Sequence, residues 1–173
     1  MISSFLSSSI TTKKSTSFTP ALVDFDAFEN LTKEVKEYRQ QRLIDWVTFT
    51  EYSKEKNSLI LDTRSKAMYD KKHLKGAIHL NFSDFTQDNL AAIIPSYTTK
   101  ILIYCNNNIE NEPVFFASKI VLPKENSSSK PISLALNIPT FLNLYGYGYR
   151  NIYELSELVS LNKHNLSFEE TVL

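Results

Sequence analysis

The sequence predicts an α/β fold, a mostly parallel sheet covered by helices on both faces, and three observations predict it. Ile101–Leu102–Ile103–Tyr104 is an unbroken apolar run, the mark of a strand buried on both faces. Leu59–Ile60–Leu61 is a second such run, closed by Asp62-Thr63-Arg64. Runs of this kind alternate along the chain with stretches of helical period, and strands that alternate with helices build parallel sheets.

In chain order, residues 1–22 come first, as a Ser/Thr-rich segment in which 11 of the first 19 positions are Ser or Thr. Such a segment buries too little apolar surface to offset its ordering entropy, so disorder is expected. Ile2, Phe5, Leu6 and Ile10 are interrupted by serines, an incomplete signal segment that is compatible with a cytoplasmic or an exported (periplasmic) protein. Residues 23–42 predict an N-terminal helix. Phe25, Phe28, Leu31, Val35 and Tyr38 recur at three- and four-residue steps, which makes one apolar stripe. Asp26 is the expected N-cap, with Glu29 three residues on.

The domain proper is expected over residues 43–161. Leu43–Ile44 reads as a short strand, residues 47–56 as a helix, Leu59–Leu61 as a strand and residues 65–72 as a helix. Ala77–Leu80 is extended, and Ser83 is expected to cap a helix running through Ile94, with Phe85 and Leu90 facing inward. After the strand 101–104 come a helix near 134–146, a strand at Asn151–Leu155 and a last helix opening at Ser156–Leu161. Residues 123–131 (PKENSSSKP) are a loop by composition, and residues 162–173 form a C-terminal tail. No segment approaches the roughly 18 apolar residues of a membrane span.

Composition excludes several classes of function. Lys and Arg total 19 against 19 Asp and Glu, so no net field favours nucleic acid or an anionic membrane. The aromatic cluster Phe141, Tyr145, Tyr147, Tyr149 and Tyr153 contains only Arg150 as a cation, too little for a single-strand-binding groove. One cysteine and three histidines supply neither a disulfide framework nor a thiolate zinc centre. Three glycines stand where average usage gives about 12, and no phosphate-cradling G-x-G-x-x-G or G-x-x-x-x-G-K-[ST] loop is present.

The lone Cys105 carries the weight of the functional reading. It follows the buried strand directly and precedes Asn106-Asn107-Asn108. Ligands of parallel sheets bind outside the carboxyl ends of strands. There a cysteine meets backbone N–H groups and a helix N-terminus, which favour its thiolate and hold anions. Free cysteine is more often simply buried, and the three polar asparagines are what shift the balance toward chemistry.

LILDTR (59–64), Tyr69, HLKGAIHLNF (73–82), ILIYC (101–105) and GYRNIYEL (148–155), taken in order, resemble a rhodanese-like domain. The resemblance covers roughly residues 43–160. It implies a three-layer domain around a central parallel five-stranded sheet, to which the N-terminal helix is added. It also implies Cys105 at the catalytic position and no cofactor. In the family that cysteine takes sulfane sulfur as a persulfide and passes it to a nucleophilic acceptor, a small molecule or a protein thiol. Asn106, Asn107, Asn108, Ile109 and Glu110 occupy the active-site loop. Asp62, Arg64, His73 and Glu112 are supporting positions, Asp62 and Arg64 chiefly as an ion pair fixing a strand end and His73 chiefly as a structural residue.

The chain departs from the family pattern after Cys105. Roughly 25 residues, about 106–131, are inserted before the Gly-Tyr element. The loop lacks the family's glycine and arginine. Asn111 stands where a related cysteine phosphatase needs the Arg of C-x5-R, which removes that chemistry. Asparagine tolerates positive φ and can replace glycine. Glu110 and Glu112 are expected to raise the Cys105 pKa and repel thiosulfate. Phe115 and Phe116 are expected to wall the cysteine's pocket if the insertion folds over it. The expected activity is therefore sulfur transfer through a Cys105 persulfide, poor with thiosulfate. The alternative is a catalytically inactive binding or regulatory module. A thiol redox sensor is a third reading, one that lacks a resolving cysteine.

Overall fold

The computed structural model describes residues 18–124 and 129–171; most of the segment for which disorder is expected, residues 1–17, lies outside them. The first helix, α1, spans Phe25–Gln40. Its N-cap is Asp24, whose carboxylate accepts the Ala27 N–H at 2.9 Å, and not Asp26, because the helix starts one residue before it. Only the later part of the predicted stripe is covered: Val35 is buried and Leu31 and Tyr38 pack on the core, while Phe25 and Phe28 stay exposed. The helix is anchored at its C-terminal end, where the Arg39 Nε donates to Glu154 at 2.6 Å.

Strand β1 (Leu43–Ile44), helix α2 (Trp46–Ser53), β2 (Ser58–Asp62), α3 (Lys66–Lys71), β3 (His73–Leu74) and β4 (Ala77–His79) follow. The helix expected from Ser83 begins later, because Phe82–Asp84 forms a 3₁₀ turn and Thr86 caps α4 (Gln87–Ile93) through the Asn89 N–H. β5 (Lys100–Tyr104) is the central strand. The insertion then folds as a hairpin of β6 (Ile120–Val121) and β7 (Ile132–Ser133) before α5 (Asn137–Gly146) and β8 (Ile152–Leu155). Gly148 turns the chain from α5 into β8 at φ +98, a conformation that a side chain resists.

The sheet order is β1-β8-β5-β2-β4 with every pairing parallel. Period-two alternation splits β5 between two cores. Ile101 and Ile103 face Leu61, Phe141, Leu144 and Ile152, under α1, α4 and α5. Leu102 and Tyr104 face Phe49, Leu74, Phe116 and Leu155, under α2 and the insertion. Each such fully buried aliphatic or aromatic side chain stabilises the fold by about 1.5–3 kcal/mol. No helix among the described residues is long and apolar enough to cross a membrane.

The last predicted helix is absent. Residues 156–161 run irregularly instead, and Val159 bridges to Ile109 in parallel. The segment is spent on pairing with the chain that leaves Cys105, so its helical propensity is overridden. The tail is likewise built into the domain: Phe168–Glu169 forms β9, antiparallel to His73–Leu74.

Candidate functional site

Cys105 extends β5 by one residue, with φ −152 and ψ −174. The alternation that turns Ile101 and Ile103 toward α5 turns Cys105 the same way. Its Sγ consequently meets the head of α5 and accepts the Leu136 N–H at 3.2 Å. The thiol is 2% exposed, and burial pushes its pKa up. The N–H groups of Leu136 and Asn106 oppose that rise, Asp62 adds to it and Arg64 subtracts from it.

The loop that follows does not ring the sulfur with amides as the sequence reading expects. Asn106–Asn108 forms a 3₁₀ turn. The Asn108 N–H donates to Cys105 O at 3.0 Å, Ile109 N–H to Asn106 O at 3.4 Å and Glu110 N–H to Val159 O at 2.8 Å. Three of the loop's N–H groups, those of residues 108–110, are thereby engaged, because the chain leaves the strand end to pair with residue 159 rather than circling back. Positive φ falls at Asn111, at +64, and not within the asparagine triplet.

Each asparagine has a separate task. Asn108, buried, accepts the Cys105 N–H at 2.9 Å and the Asn137 amide at 2.8 Å, and donates to Leu155 O at 2.7 Å. It knots the strand end, α5 and β8 together. Asn107 grips the insertion: its Oδ1 accepts the Lys119 N–H at 2.7 Å and its Nδ2 donates to Ser133 Oγ at 2.9 Å. Asn106 donates to Ala117 O at 2.8 Å.

The insertion does fold against the site, though Phe115 and Phe116 do not wall it. Phe116 is buried beneath the Arg64 guanidinium, 4.1 Å from ring centroid to Cζ, and packs near Tyr104 and Phe168. The walls are Leu134, Ala135, Leu136 and Lys119, which with Arg64 and Met68 enclose a cavity of about 410 Å³ on Cys105. Glu110 and Glu112 do not line it. They border a neighbouring hollow, and Glu112 is paired with Lys72 at 2.7 Å. Neither acid is among the causes that move the Cys105 pKa. The expected repulsion from these two carboxylates is thus replaced by plain desolvation.

Asp62 and Arg64 end the neighbouring strand as a buried ion pair at 2.7 Å. Arg64 also donates to Phe115 O at 2.9 Å and Lys72 O at 2.7 Å, and Tyr104 donates its phenol to Asp62. The pair holds β2, β5, α3 and the insertion in register, and Arg64 additionally faces the cysteine's cavity. His73 stands apart: it stacks on Tyr69 at 3.8 Å and bonds Tyr69 O at 2.7 Å. Sequence reasoning missed Leu136 and Lys119. The first was accessible in principle, as a free donor at the start of the helix near 134–146. The second carried no signal, because only the hairpin's path brings it to Cys105.

The chain is similar to three solved structures at low identity. The BH2092 protein of Bacillus halodurans is 16% identical, with a TM-score of 0.49 over 84% of this chain and 85% of that one. A rhodanese with anions from E. coli is 15% identical, with a TM-score of 0.39 over 65% and 98%. A rhodanese-like domain from Anabaena is 17% identical, with a TM-score of 0.40 over 66% and 94%. No curated protein matches the chain. The model of the rhodanese-like domain, in contrast, matches residues 45–157, well over half of the length, and by that match the chain belongs to the rhodanese-like family.

Proposed function

We propose that the domain transfers sulfane sulfur through a persulfide on Cys105. The observation that carries this reading is the position of Sγ: at the end of the central strand, bonded to an N–H at the head of α5, and open to a cavity. A helix N-terminus stabilises anionic sulfur. In the first step the Cys105 thiolate attacks the outer sulfur of a donor persulfide, R–S–SH. The donor's S–S bond breaks, a new S–S bond forms on Cys105, and the donor thiolate leaves, to be protonated by solvent. In the second step an acceptor thiolate attacks the outer sulfur and Cys105 returns as thiolate. Neither step needs an oxidant or a cofactor.

Thiosulfate is expected to react slowly, for a reason other than acidic repulsion. Burial keeps most of the Cys105 population as thiol near neutral pH, and the engaged N–H groups of residues 108–110 are withdrawn from a sulfonate. Those same engaged groups favour a second reading, a binding module without turnover. Mass spectrometry after incubation with a persulfide donor, and separately with thiosulfate, separates the two. Transfer predicts a one-sulfur adduct that an acceptor thiol removes and that Cys105→Ser lacks. A folded protein that takes no sulfur from either donor leaves the binding module.

A further inference from the structure

We propose that Lys119, brought to the site by the insertion, selects donors that carry a carboxylate beside the sulfane sulfur, namely small amino-acid persulfides. The inference rests on the sulfur-transfer reading and adds to it the class of donor. The cavity on Cys105 is bordered by two cations, Arg64 and Lys119. Arg64 is largely committed: Nε and Nη2 bond Asp62, Nη1 bonds Phe115 O, and Nη2 also bonds Lys72 O. Its charge is balanced by Asp62 and four of its five N–H donors are used.

Lys119 is the opposite case. Its backbone is fixed on both sides, the N–H to Asn107 Oδ1 at 2.7 Å and the carbonyl to the Leu134 N–H at 2.7 Å. Its exposed ammonium has neither a hydrogen-bond nor an ion-pair partner among the described residues. A lysine tethered to a cavity rim with no carboxylate of its own presents a net positive charge to whatever enters. Among the described residues, two nearby acids are turned elsewhere, Asp62 to Arg64 and Glu112 to Lys72.

Asn106 also borders the cavity. Asn106 Oδ1 is buried and has no hydrogen-bond partner, and the Nδ2 bond to Ala117 O fixes which end of the amide is which. A buried acceptor without a partner is costly, and this one has no surface open to the cavity. An amino-acid persulfide supplies two complements at once, a carboxylate for Lys119 and an outer sulfur for Cys105. Thiosulfate supplies an outer sulfur and a negative charge but no carboxylate.

The test compares two alkylating reagents that differ by a carboxylate. Iodoacetate and iodoacetamide both place a carbon on Cys105 Sγ with loss of iodide, and the thiol proton goes to solvent. The rate ratio of iodoacetate to iodoacetamide, measured on the full chain by mass spectrometry at low salt, is expected to fall about three- to fivefold in Lys119→Gln. It should fall further in Lys119→Glu and stay unchanged in the distant control Lys36→Gln. The same Lys119→Gln variant is expected to accept sulfur from cysteine persulfide about three- to fivefold more slowly, and from cysteamine persulfide, which lacks the carboxylate, at the unaltered rate. An equal ratio in wild type and Lys119→Gln overturns the proposal, as does failure of both reagents to label Cys105 in the folded chain. Absence of sulfur uptake from either persulfide overturns the donor assignment together with the sulfur-transfer reading, while the alkylation ratio by itself still upholds or overturns Lys119 as the anion-selecting residue.

Discussion

Two neighbouring parallel strands end side by side in this chain, and they end in opposite ways. After β2, Asp62 and Arg64 close on each other, on two backbone carbonyls and on the Tyr104 phenol, the three side chains buried. After β5, neutral asparagines satisfy the backbone and a thiol is left facing a cavity. The first strand end uses charge to hold the fold. The second uses uncharged amides to hold the loop, which frees its one reactive atom from structural duty. Polar residues at the carboxyl ends of strands are thus not all of one kind: what distinguishes a reactive group from a strut is the hydrogen bonding left over once its neighbours are counted.

Substitution of the two ends should expose that contrast most sharply. Asp62→Asn leaves a buried guanidinium without its counter-charge, and breaking such a pair from one side costs about 3–5 kcal/mol. Cys105→Ser keeps size and an acceptor for the Leu136 N–H, so it is expected to cost about 1 kcal/mol or less. Guanidinium unfolding with an unchanged slope measures both. Similar losses from the two variants would break the comparison, since Cys105 would then be as structural as the ion pair.

Asn108→Ala is expected to rank between them, because it strands the Cys105 N–H and the Leu155 carbonyl in a buried setting. A loss of about 2–3 kcal/mol follows from leaving such groups unpaired. It should also speed Cys105 alkylation several-fold, as the knot that ties the loop to β8 opens. A stable protein with faster alkylation would show that the asparagine controls access alone. A destabilised one with unaltered alkylation would assign it to the fold alone.

The two strand ends also differ in how far the sequence discloses them. Leu59–Arg64 and Ile101–Cys105 are legible because a strand buried on both faces must be apolar throughout, and the polar residue that follows marks where it leaves the core. The path after Cys105 is not legible. It is set by the Asn107 contacts with Lys119 and Ser133, 12 and 26 positions away, and no local period encodes a contact at that distance. The same long-range pairing, Ile109 with Val159, converts the helical-looking Ser156–Leu161 into an irregular segment. At the N-terminus the error is small and local: Asp24 and Asp26 both suit a cap, and only the burial of Leu31, Val35 and Tyr38 against the core fixes the helix phase.

The smallest expected effect is the most discriminating for the thiol. Because burial is the leading cause of the raised Cys105 pKa, the thiolate fraction at a given pH is lower than in a free cysteine. The pH profile of alkylation by neutral iodoacetamide should therefore reach its half-maximum above about 8.5, where an ordinary thiol reaches its own. Glu112→Gln should not move that profile, since its carboxylate is paired with Lys72 and faces the neighbouring hollow. Its effect on stability should stay within about 1 kcal/mol, as for other partly exposed pairs. A profile displaced to lower pH in Glu112→Gln would mean that the insertion's acid acts on the sulfur through space. The second strand end would then be governed by charge after all, like the first, and Lys119 would be offsetting an acid rather than presenting a net cation to the donor.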